Sequence, residues 1–308
     1  MALFEAILPV FLLLVMGVLL QRQRFPFDGF WQGVDKLVYW CLFPALLFSK
    51  TSVIDFSNPM LGRYGLVLVS ALLVTAAIIM LLARLLHVPN PTATSMLQAS
   101  VRFNTFITLA LAERLYGAEG LVYAALGAAV LIPSVNVFLV VTMVSMHGQR
   151  QQSLLKLISK ELLKNPLIMA IVLGLGLNAM GLTPIPIASD MAQMLAQATL
   201  PLVLLAVGAG VRLTTIRAVG ATFWLSAFGR FLIFPGVVLV MCWWLGINGL
   251  PAYVALLFGI VPTATSAYAL AKQLGGDADS MAAFITLQTA MSLITVPLSI
   301  ALAQHLLS

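Results

Sequence analysis

The chain has 308 residues, 61% of them hydrophobic and 8% charged, with a mean hydropathy of +1.06. That composition excludes an ordinary soluble domain and places most of the chain in lipid. The net charge of +6 does not point to nucleic acid, because the basic residues are scattered between apolar segments, as in the cytoplasmic loops of a membrane protein.

The N-terminal run "MALFEAILPVFLLLVMGVLLQRQR" begins with Glu5 and ends with its arginines, the reverse of a signal peptide, and reads as a spanning helix. About 20 apolar residues span a hydrocarbon core. By that ruler the chain offers ten helices, at 2–20, 33–50, 62–86, 92–115, 119–146, 166–182, 190–211, 219–246, 250–272 and 279–306. The expected fold is therefore an all-α membrane protein. Cys41 and Cys242 lie in apolar runs without metal-ligand spacing and read as buried small hydrophobes.

With the N-terminus outside the cytoplasm, the inner connections and adjoining helix ends hold Arg22, Arg24, Lys36, Arg84, Arg150, Lys156, Lys160, Lys164, Arg212, Arg217 and Lys272. The outer side holds Lys50, Arg63 and Arg114, and only Arg102 and Arg230 remain within helices. This asymmetry puts both termini on the non-cytoplasmic side. The hydrophilic stretch "HGQRQQSLLKLISKELLKN" reads as a basic cytoplasmic linker, 148–165, between a first five-helix repeat, 1–147, and a second, 166–308.

The halves resemble each other. Pro9 and Pro166, Gly17 and Gly174, and Pro44 and Pro201 each stand 157 residues apart. "NTFITLALAERLYGAEG" lies over "TATSAYALAKQLGGDAD" at a shift of 159, which matches Ala112 to Ala271 and Gly117 to Gly276. An odd number of helices per half inverts the second copy, the architecture of many secondary transporters, whose ligands sit where two helices are broken.

"QASVRFNTFIT" in the fourth helix and "GIVPTATSAYA" in the ninth put small polar residues where hydrophobes would be expected. Pro262 breaks the ninth helix, and Thr263, Thr265 and Ser266 offer hydroxyls to backbone or ligand. The aligned residue in the fourth helix is Phe103, so a break there rests on analogy. Arg102 has the planar fork that suits a carboxylate, with Asn104 and Thr105 as donors beside it. The bland reading is that Arg102 pairs with a protein group or reaches an interface. Arg230 reads as structural or lipid-facing. Asn136, after Pro133, and Gln288, a turn before Ser292, either reach the site or bond between helices. Glu5 and Glu113 lie near helix ends and no acid accompanies the polar clusters, so no sodium or proton site built on a carboxylate is visible. No nucleotide-binding loop, H-E-x-x-H or Ser–His pattern occurs, so no cofactor, metal or enzymatic activity is expected.

Ten helices in inverted halves, with "RFNTF", "PSVNVFLV" and "PTATSAYALAKQLGGDAD", resemble the auxin efflux carrier family of permeases, whose bacterial members include malonate permeases. The resemblance covers essentially the whole chain. It implies a fold like that of the bile acid:sodium symporters: a scaffold from helices one, two, six and seven, and a transport domain from the others. It also implies crossed broken fourth and ninth helices, elevator-like motion and homodimerisation through the scaffold. Plant members carry a proline at both crossing points; Pro262 matches one, and Phe103 departs at the other.

The expected function is a secondary transporter or uniporter of small organic anions, mono- or dicarboxylates, in a bacterial inner membrane, with lipid and the anion as partners and no nucleic acid. A channel-like anion pore is one alternative. A carboxylate-binding sensor is another, and it would require a cytoplasmic output domain of which the sequence carries no sign.

Overall fold

A computed structural model describes residues 2–54, 60–147, 159, 162–211 and 220–306. Most of the basic linker, 148–158, 160 and 161, lies outside the described residues. The described chain is helical, and its one β-type contact is an isolated bridge. In order come α1 (Ala2–Arg22), α2 (Phe30–Leu37), α3 (Phe43–Thr51), α4 (Met60–Leu85), α5 (Asn90–Val101) and α6 (Thr105–His147). There follow α7 (Pro166–Ala179), α8 (Ala188–Ala209), α9 (Ala221–Phe228), α10 (Phe234–Leu245), α11 (Leu250–Ile260), α12 (Ser266–Leu274) and α13 (Ala278–Leu306). By length and apolarity, six described helical stretches are able to cross a membrane: in α1, α4, α6, α8, the run Ala221–Leu245 and α13.

Local chemistry sets the boundaries. α3, α5, α7, α10 and α11 each carry a proline in their first turn, where its missing N–H costs nothing. Asn165 caps α7 by accepting from the Leu167 amide at 3.0 Å. Gly275 ends α12 in the left-handed conformation at φ 79°. α6 changes direction at Gly117 (φ 67°, ψ −156°), a geometry that glycine alone adopts without strain. α2 runs into α3 through a π turn at Val38–Leu42, and α9 into α10 through another at Gly229–Ile233. Each π turn ends two residues before a proline, Pro44 or Pro235, and contains the i−4 carbonyl with which that ring would clash.

The helices pack in two groups. α1 lies along α8, and α3 lies between α7 and α8. In the other group α4 packs on α10 and α5, α5 on α9, and α6 on α11. Close approach in the first group depends on glycine: a Cβ on Gly17 would strike the Leu205 carbonyl, one on Gly208 the Leu14 carbonyl, and one on Gly174 the Thr51 hydroxyl. Thr199 Oγ1 donates to the Leu42 carbonyl at 3.0 Å, serving the π turn between α2 and α3. Large side chains such as Leu81, Ile294 and Trp243 stay exposed outside the bundle, as lipid-facing residues do. Cys242 is buried, but Cys41 is exposed. The expectation of two buried cysteines is corrected at Cys41, which lies in the π turn beside exposed Trp40.

At the start of α13, Asp277 ties the second group together. Its carboxylate accepts from the Ser280 amide (3.0 Å), the Ser280 hydroxyl (2.6 Å) and Thr92 Oγ1 (3.0 Å), while its own carbonyl accepts from Ser95 Oγ (2.9 Å). Partial burial pushes the carboxyl upward, but the Ser280 and Thr92 hydrogen bonds outweigh it and hold the group below the usual carboxylate range. The stabilisation is therefore present above the unfolded-state value of about 4 and is lost as pH falls through the lower folded value. Asp277→Asn should melt below wild type at pH 7, with the gap narrowing below about pH 4; thermal melts across pH check it, and a constant gap would remove the charge from the account.

Candidate functional site

Between α5 and α6 the chain leaves the helix at Arg102, whose φ −83° and ψ 114° are extended, and resumes it at Thr105. Between α11 and α12 it does the same from Val261, at φ −77° and ψ 155°, to Thr265. The two extended segments cross and pair, with Phe103 bridged antiparallel to Thr263 and the Asn104 amide donating to the Pro262 carbonyl at 2.8 Å. The break at Pro262 has the proline to explain it. The break at Phe103 has none, and it exists because Phe103 finds a backbone partner across the crossing while its ring packs edge-on against Phe258 at 4.9 Å.

Four helix ends meet here, and their backbone groups require partners that lipid cannot supply. Asn104 serves the new N-terminus of α6: its Oδ1 accepts from the Phe106 and Ile107 amides at 3.1 and 3.2 Å. Its side-chain oxygen is therefore a helix cap, a role that the sequence reading did not assign and that engages Oδ1 rather than the amide nitrogen. Gln288, fully buried on α13, accepts from the Thr263 amide (3.1 Å) and donates to the Ala99 carbonyl (3.1 Å), so one side chain holds both broken segments. Arg230 is fully buried too; its Nε donates to the Val261 carbonyl at 2.8 Å and its Nη1 to the Ser100 carbonyl at 3.4 Å. The expectation that Arg230 is structural or lipid-facing is thus corrected in its second half: the π turn directs the side chain into the bundle.

A cavity of about 380 Å³ opens on one side of the crossing. Arg102, Asn104, Thr105, Asn136, Thr265 and Ser266 all line it. Pro262, Thr263 and Gln288 are not among its lining residues; they take part in the crossing through the Phe103–Thr263 bridge, the Pro262 carbonyl and the Gln288 side chain. The cavity takes its walls from the first residues of α6 and α12, which direct the positive ends of two half-helices at it, and Arg102 adds a full charge. The Thr105, Asn136, Thr265 and Ser266 side chains make no hydrogen bond to other described residues, which leaves polar groups on the wall. Such an arrangement suits a small anion.

Asp35, Tyr39 and Asn165 line the same cavity. Sequence reasoning missed Asp35 and found no acid near the polar clusters, because "WQGVDKLVYW" looks like the polar entry to a helix. Its signal is amphipathic: Trp31, Val34 and Val38 are buried, and Asp35 falls on the other face of α2. Among the described residues no group of three or more His, Cys, Asp or Glu is arranged to hold a metal ion.

Gln288→Leu should lower stability by about 2–3 kcal/mol, because it orphans the Thr263 amide and the Ala99 carbonyl in the interior. Thr263 Oγ1 is buried without a hydrogen-bond partner among the described residues, so Thr263→Val should match or exceed wild-type stability. Melting of the two purified variants checks both signs.

The sequence model of the Mem_trans family, described as membrane transport protein, matches residues 2–300. No curated protein matches the chain. With that match over nearly its whole length, and with several helices long and apolar enough to cross a bilayer, the chain belongs to the membrane transport protein family that includes the auxin efflux carriers.

Proposed function

We propose that this chain is a secondary transporter or uniporter of small organic anions, mono- or dicarboxylates, which it binds in the cavity beside the crossing. The observation that carries this reading is the convergence on one 380 Å³ space of Arg102 and the N-terminal residues of α6 and α12. A carboxylate there would meet the Arg102 fork and two helix N-termini, with Thr105, Asn136, Thr265 and Ser266 as polar neighbours.

The architecture in this reading is ten spans in two inverted five-helix repeats, crossed at the breaks. Contacts between α1, α3, α7 and α8 support it. Gly17 approaches the Leu205 carbonyl and Gly174 the Phe48 carbonyl; the second pair repeats the first at a shift of 157, since 174 − 17 = 157 and 205 − 48 = 157. Thr199 bonds to Leu42, its own counterpart at the same shift, as residues beside a pseudo-twofold axis do. α1, α2, α3, α7 and α8 would form the scaffold and the homodimer contact, and α4 to α6 with α9 to α13 would form the transport domain that slides as an elevator. Both termini would face away from the cytoplasm of a bacterial inner membrane, and the cavity, with Asp35 and Asn165 on its wall, would open inward.

A thermal-shift screen of purified protein against malonate and other small carboxylates tests the site. A ligand at 100 times its Kd should stabilise wild type by about 2.7 kcal/mol, and Arg102→Ala should lose that stabilisation while staying folded. Equal stabilisation of both proteins would remove Arg102 from the site. Asp35→Asn, which takes a negative charge off the cavity wall, should tighten carboxylate binding; weaker binding in that variant, read by the same titration, would make Asp35 a partner of the ligand.

A further inference from the structure

The cavity beside the crossing is lined by one base and one acid, Arg102 and Asp35. They come from different parts of the bundle: Arg102 from the end of α5 at the crossing, Asp35 from α2, which packs on α8. The Asp35 carboxylate makes no hydrogen bond or ion pair with another described residue, Arg102 included. An acid and a base that share a small cavity without pairing leave a place for a ligand that answers both charges.

The other lining residues narrow what that ligand is. Asn104 Oδ1 accepts from the Phe106 and Ile107 amides, and Asn165 Oδ1 from the Leu167 amide. Both side-chain oxygens are thus engaged as helix caps, and the amide donors are what these residues have left. Together with Arg102 and the first residues of α6 and α12 they make a wall rich in donors, on which Asp35 is the one anionic acceptor. Val38, Ile132, Val135 and Leu167 line the same space and suit a short methylene spacer. A ligand carboxylate is drawn to Arg102 and the two half-helix N-termini. A second carboxylate on the same small molecule would share about 380 Å³ with Asp35, where like charges repel more strongly than in water. An ammonium or amide N–H in its place would give Asp35 the charge-assisted hydrogen bond that it lacks.

We propose that Asp35 selects the substrate by its second functional group: the cavity takes small monocarboxylates that also carry a hydrogen-bond donor, an ammonium or an amide N–H, in preference to dicarboxylates. This inference rests on the function proposed above and narrows its substrate class. Such a ligand would touch the crossing through Arg102 and α2 through Asp35 at once.

Isothermal titration of the full chain in detergent tests it, at about pH 8, where an ordinary carboxyl is ionised and an ammonium protonated. The ligands are propionate, which has no second polar group, malonamate with a neutral donor, β-alanine with a cationic one, and malonate with a second carboxylate. Wild type should bind malonamate and β-alanine about tenfold more tightly than malonate, the ratio expected of one charge-assisted hydrogen bond. Either order of the two donor ligands supports the proposal, and the order tells an ammonium from an amide. Asp35→Asn keeps the shape of the side chain and removes its charge. It should close the gap, tightening malonate and weakening β-alanine, with propionate changing least. Equal affinity of wild type for malonate and malonamate, or a variant that shifts all four ligands by one factor, overturns this inference and leaves carboxylate binding at Arg102 standing. If the variant does not fold, the wild-type ranking decides. Binding of none of the four by folded wild type overturns the function proposed above and this inference with it.

Discussion

A helix broken inside a bilayer exposes amides and carbonyls that hydrocarbon cannot satisfy, and each one left alone costs several kcal/mol. This chain breaks two helices at the same place, and the structure around them is organised by that cost. The broken segments satisfy each other first, through the Phe103–Thr263 bridge and the Asn104 amide on the Pro262 carbonyl. Side chains serve what remains. Asn104 caps α6, Gln288 takes one group from each segment, and Arg230 takes a carbonyl from each. Both bracing side chains reach the crossing from other helices, so α9, α10 and α13 are required for the break to exist at all.

The same constraint sorts charge. Two helix N-termini and two C-termini meet at the crossing, and their fields would largely cancel if mixed. They are separated instead. The N-terminal residues of α6 and α12 line the cavity with Arg102, while the ends of α5 and α11 point their carbonyls at buried Arg230. Arg230 withdraws the negative ends from the account, and the positive ends keep their full effect on whatever enters the cavity. The two arginines inside the helices look alike in sequence. In the fold one is at the cavity wall and the other is what allows that wall to be positive.

Sequence periodicity and apolar runs made the helical, membrane-spanning class legible, and Pro262 announced its break. The break at Phe103 was legible only through the internal repeat, because its cause is a partner 160 residues away rather than a local residue. "RFNTFI" does contain a signal, an asparagine placed to cap the helix that follows, but inside an apolar run it reads as easily as a ligand. Six of the nine candidate site residues reach the cavity; Pro262, Thr263 and Gln288 do not, since polarity alone does not distinguish a group that meets a ligand from one that mends backbone. Asp35 was missed because a charge one turn inside a helix resembles one at its mouth. The direction of Arg230 depends on the π turn that carries it, a feature of α9 and α10 that Pro235 hints at and no periodicity reveals.

The polar bonds also bear on what is able to move. Those that hold the crossing run among α5, α6, α11, α13 and the π turn at Arg230, and Asp277 joins α13 back to α5. Another set, Thr199 to Leu42, Asn178 to Ile54 and Thr183 to Ser52, runs among the helices packed through Gly17, Gly174 and Gly208. Contacts between the groups include an apolar one, the Phe43 ring edge-on to Phe106 at 4.7 Å. Directional bonds fix a geometry, whereas apolar surfaces exchange neighbours at small cost because no group is left unsatisfied. In the function proposed above, a crossing braced within one group is the body that would shift against the other as a unit. The cavity, walled by both groups, is where such a shift would open one side and close the other.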